Sequence, residues 1–169
     1  MKRAVFVLTM ILISAADAGA AVAEPQGLAA TLRASASEEP AFMLRANGVH
    51  VYECVAVPGG FRWSFVAPDA TLFDGTRSTA THTTPGLWEA SSDRSSVSGR
   101  VRATQAAGAD NLPWVLYRVQ SSGDGGLFSG VSSVQRLNTA GGVAPASGCG
   151  DTTVGTERPH VQEWVDRGF

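Results

Sequence analysis

Residues 49–67 read VHVYECVAVPGGFRWSFVA, a stretch holding two strands and the turn between them. Residues 49–57 carry apolar side chains on both sides of an extended chain, the mark of a strand covered on more than one face. Residues 61–67 alternate instead. Phe61, Trp63, Phe65 and Ala67 fall on one side, with Arg62 and Ser64 on the other, as a half-buried antiparallel strand requires. Pro58-Gly59-Gly60 lies between them. Proline presets φ for the first corner of a tight turn, and glycine supplies the positive φ of the second. The two runs therefore pair as a hairpin.

The period of two continues outward. Val97, Val101 and Ala103 oppose Ser98, Arg100 and Arg102. Residues 114–119 are nearly apolar throughout, which suits a central strand, with Pro113 at its start where no ladder donor is needed. Residues 131–137 make a further strand, and 42–45, 70–73, 87–90 and 161–165 are shorter candidates. Glycine- and serine-rich connections separate these runs, as at 91–96 and 121–126. No segment holds a helical period; Leu28 and Leu32 seat one turn at most. Short strands divided by turns predict an all-β chain, an antiparallel β-sandwich or a barrel-like single domain over residues 41–169, preceded by an extended lead-in over 24–40.

The amino terminus has the three parts of a secretory signal in order: basic Lys2 and Arg3, an apolar run over 4–13, and the small-x-small triplet Ala21-Val22-Ala23. The apolar run is shorter than the ~18–20 residues a spanning helix needs. Residues 1–23 thus read as a signal peptide, and the protein as exported, periplasmic or extracellular, with no membrane insertion after cleavage. Removing them takes away the only lysine and leaves eleven arginines against fourteen acidic residues, a net charge of −3. Without clustered basic residues the chain lacks the electrostatic footprint of nucleic-acid binding.

Export bears on Cys54 and Cys149, the only two cysteines. In an oxidising compartment two thiols of a small domain pair as a disulfide, here closing a loop worth about 4–5 kcal/mol in the chain-entropy model. The alternative is two separate buried thiols acting as small apolar side chains.

Four side chains stand out chemically. Glu53 shares its strand face with Val49, Val51, Val55 and Val57. A carboxylate in that company needs a partner, for which Arg136 is the candidate, or else carries a pKa raised by burial and works as an acid or base. Held in such a pair, Glu53 would be costly to replace by alanine. In residues 81–89, THTTPGLWE, His82, Trp88 and Glu89 gather around a Pro-Gly turn. Histidine beside a carboxylate is suited to proton transfer, and tryptophan to stacking on a ligand. His50, His82 and His160 show no metal-ligand spacing, and neither a metal nor another cofactor is called for.

Five segments, in order, carry a resemblance: 46–54, 63–70, 82–89, 112–116, and 135–145 with Cys149. Together they resemble the secreted bacterial and fungal family catalogued as domain of unknown function 3455. Tyr52, Cys54, Trp63, His82, Trp88, Trp114, Arg136, Asn138 and Cys149 are among the matching positions. Pro85-Gly86 and Thr83 depart from the family pattern around the histidine. The resemblance implies export and the two-cysteine frame, and brings no activity with it.

The leading expectation is a soluble exported β-domain that binds a small molecule or an envelope component without catalysis of its own, with Trp88, His82 and Arg136 as ligand-binding candidates. The alternative is a small hydrolase or lyase using His82 with Glu89 or Glu53, and Arg136 to hold an anion. The enzyme reading requires His82, a carboxylate and Arg136 to meet in one cleft.

Overall fold

The computed structural model describes residues 25–161. The signal peptide expected over residues 1–23 lies outside the described residues, as do the last four positions of the strand expected over 161–165.

Eight strands form one antiparallel sheet: β1 (Arg45–Val57), β2 (Gly60–Asp74), β3 (Arg77–Thr84), β4 (Leu87–Ala90), β5 (Ser96–Gln105), β6 (Trp114–Ser122), β7 (Ser133–Arg136) and β8 (Glu157–Val161). Their order across the sheet is β7-β6-β5-β4-β3-β2-β1-β8. The first seven are a simple meander, and β8 returns to the far side of β1. The chain is all-β, as the alternation predicted, and its shape is a curled half-barrel rather than two stacked sheets.

The hairpin at 49–67 is present. Val57 pairs with Gly60 around Pro58-Gly59, where Gly59 has φ +91°. Two bulges then decide which residues face inward. Between Val51 and Tyr52 the β1–β2 register slips by one, leaving Val66 without an opposite number. Phe65 therefore stands across from Tyr52, whereas Ala67 stands across from Val51, on the other face. The predicted common face of Phe65 and Ala67 is broken at this point. A second slip on β5 skips Arg102, so that Val101 pairs with Tyr117 but Ala103 with Leu116. Pro68 is tolerated inside β2 because the β3 ladder starts only at Ala70.

The inward face changes character along the strands that reach both ends of the sheet. At one end lies the main core, with Ala46, Leu72, Ala80, Trp88, Val97 and Val134 buried together. At the other end the same strands present His50, Phe65, His82, Val101, Tyr117 and Arg136 around a cleft. On the convex side Leu116 and Leu137 pack with Leu28 and Leu32 of the lead-in, whose one ordered turn is Ala30–Leu32. The lead-in is fastened by Gln135 Nε2–H donating to Leu32 O (2.5 Å) and by Ser132 Oγ–H donating to Glu38 (2.5 Å). It thereby shields β7, an edge strand whose four residues are all buried.

The return from β7 to β8 crosses from one rim of the sheet to the other and is pinned to β1 and β2. Cys54 and Cys149 are disulfide-bonded, with Cα atoms 5.3 Å apart and 95 positions between them in sequence. Tyr52 Oη–H donates to Gly142 O (2.7 Å), and Trp63 Nε1–H to Ser147 O (3.1 Å).

Candidate functional site

The cleft encloses about 470 Å³, and strands β1, β2, β3, β5, β6 and β7 each supply part of its wall. Its position follows from face parity. Cys54 must point inward to reach Cys149, so Tyr52 and His50, two and four places back, point inward as well. His82 sits on β3 opposite Ala70, and the Pro85-Gly86 turn closes the strand beside it. Gly86 has φ +69°, and its carbonyl accepts Gly99 N–H at 2.8 Å. A Cβ at Gly99 would fall 2.1 Å from Arg118 O, so only glycine fits this part of the wall.

His82 is 4 % exposed and lies flat against Trp88, ring centroids 4.4 Å apart and planes 9° from parallel. Trp88 in turn meets the Tyr117 ring edge-on at 5.0 Å. His82 Nδ1–H donates to Leu87 O (2.7 Å), which leaves Nε2 as the lone-pair nitrogen of a neutral ring. Burial, assisted by the nearby Arg136 charge, pushes the His82 pKa down to about 4 against the opposing pull of the Leu87 carbonyl. Burial, then Arg136, then His82 push His50 down to about 3. The His50 ring packs 4.7 Å from that of Phe65. Phe65 and Val101, 44 % and 56 % exposed, give the mouth an apolar rim.

Arg136 is 7 % exposed. One Nη2–H donates to Pro113 O (3.0 Å), while Nε–H is buried without an acceptor among the described residues. No described carboxylate lies within ion-pair distance of this guanidinium. At neutral pH the described residues therefore give the cleft a single fixed positive charge, two uncharged imidazoles and Tyr52, whose hydroxyl pKa burial raises. Such a lining binds by shape, hydrogen bonding and one charge.

The sequence-level candidates separate cleanly. His82 and Arg136 meet in the cleft. Glu53 and Glu89 do not. Glu53 lies half-buried on the opposite face of β1, where Glu157 stands across the ladder. The expected Glu53–Arg136 pair is absent, because Arg136 points to the concave side and Glu53 to the convex side. Glu89 is on the outer side of β4 and pairs with Arg94 at 2.8 Å. Trp88 is 2 % exposed and belongs to the core, backing the cleft from behind His82 and Tyr117 without lining it. Among the described residues no group of three His, Cys, Asp or Glu is placed to hold a metal ion. His50, Tyr52, Phe65, Val101 and Tyr117 are among the lining residues that sequence reasoning missed. The inward demand of Cys54 was the available signal for His50 and Tyr52.

No curated protein matches this chain, and no solved structure does. The model of one family, described as a protein of unknown function (DUF3455), matches residues 34–162, a span that takes in the whole cleft and both cysteines, and the chain belongs to that family.

Proposed function

We propose that the protein is an exported β-domain whose cleft receives a small molecule, without catalysis of its own. The observation that carries this reading is the composition of the wall: His82 and Arg136 share it with aromatic and aliphatic side chains, and among the described residues no carboxylate lines it. Cup-shaped sites with an apolar lining and few polar groups are the usual form of small-molecule sites. A hydrolase or lyase relying on His82 with Glu53 or Glu89 would need a carboxylate that stands on the convex side instead. Export is supported by the disulfide, which is characteristic of oxidising compartments. Among the described residues no helix is long and apolar enough to cross a membrane.

The test is a fragment titration followed through the histidine side-chain NMR signals. Compounds that bind should move the His50 and His82 imidazole resonances together. Hits confined to the groove lined by Ser37, Pro40, Ser129 and Val131, with both imidazoles unmoved, would refute the cleft as the binding site.

A further inference from the structure

We infer that the cleft selects a small organic monocarboxylate with a flat apolar body, its carboxylate received by Arg136 and its body held between Phe65, Val101 and Tyr117. This rests on the cleft being a ligand site, and it adds the chemical class. A buried guanidinium is normally neutralised by an acidic side chain, since an unpaired buried charge is strongly destabilising. Arg136 is nine-tenths buried, keeps one N–H without an acceptor, and has no carboxylate partner among the described residues. The planar fork of Arg matches the two oxygens of a carboxylate. A single such charge suits a monoanion, because the neighbouring imidazoles are uncharged at neutral pH and add none. The remaining wall, apart from His50, Tyr52, His82, Thr104 and the Tyr117 hydroxyl, is apolar, which favours a ring or short hydrocarbon over a sugar.

Benzoate and benzamide are near-isosteres that differ in charge, and they make the decisive pair of probes. Calorimetric titration of the full chain at pH 7 should show benzoate binding at least tenfold more tightly than benzamide, with the His50 and His82 signals moving. Arg136→Gln should abolish that preference, and Arg136→Lys should keep part of it. If the Gln variant does not fold, the two probes on the unaltered protein decide alone. Equal affinity for both probes, with the imidazoles moving, would overturn the carboxylate assignment and leave the cleft reading standing. No binding of either probe, with neither imidazole moving, would remove both. Benzoate binding without movement of the imidazoles would place the anion elsewhere, for instance on exposed Arg118, and overturn the inference.

Discussion

His50 and His82 make the resting molecule sensitive to acid. Their pKa values near 3 and 4 lie below the ordinary 6.5, so the unfolded chain takes up two protons that the folded chain refuses. Stability from this source is complete above pH 6.5 and falls as pH drops from 6.5 toward 4, by at most about 1.4 kcal/mol per histidine per pH unit. Arg136 acts on both rings, and His82 and Tyr52 also lie near His50; among the described residues no carboxylate lines the cleft to offset the effect. Thermal melts at pH 7.5 and pH 5 should show a clear fall at the lower pH, and the His50→Gln/His82→Gln double variant a shallower one. Equal slopes would contradict the buried, neutral state. At the same scale, Glu53→Ala should change stability by no more than about 0.5 kcal/mol, as for other positions without a buried partner. A denaturant titration checks this, and a loss of several kcal/mol would require a partner that the described residues do not provide. The valines around Glu53 made its face look interior. The deciding constraint was Cys54 next door, whose bond to Cys149 turns the histidine, tyrosine and cysteine inward and the glutamate out.

Among elements, the most legible were those whose residues alternate strongly or stop at a Pro-Gly turn. The β1–β2 hairpin and β4 were readable for that reason, and β6 because both of its faces are covered, by the main core and by the lead-in. β3 was not, since RSTATHTT has only small and polar side chains; it is held in place by its neighbours, with Ala80 and His82 inward. The bulges at Val66 and Arg102 were likewise illegible. They exchange faces within a strand without altering its local sequence character, and they take their position from the register of the partner strand. The apolar rim of the cleft depends on them, because Phe65 and Val101 face inward only on one side of each slip. The lead-in makes its own testable contribution. Leu32 is fully buried beneath Leu116 and Leu137, so Leu32→Ala should cost about 2–4 kcal/mol and loosen the cover over β7. Hydrogen exchange should then show faster amides in β7 and unchanged ones in β3. Uniform loss of protection would mean that the lead-in does not act locally.

For the whole molecule, the sheet stops short of closure, and the connection from β7 to β8 spans the two rims. Replacing both cysteines by alanine should cost about 2–5 kcal/mol and lower Tm by roughly 10 °C. Unchanged melting would show that Tyr52, Trp63 and the β1–β8 ladder hold that connection by themselves. The all-β class and the paired cysteines were foreseeable from alternation and export chemistry. Alternation left the sandwich and the barrel-like sheet both open, since what separates them is contacts between residues about ninety positions apart, such as Tyr52 with Gly142.

The disulfide also redraws distance along the chain. Glu157 of β8 pairs with Glu53 of β1, a contact across about a hundred residues in a reduced chain. Once Cys149 is bound to Cys54, the covalent path between the same two strands shrinks to about ten links, and closing it becomes easier by about 2 kcal/mol of loop entropy. The final strand of an oxidised chain is thus, topologically, the other half of a hairpin with the first. Its docking belongs among the quick, local events of folding rather than the slow, distant ones.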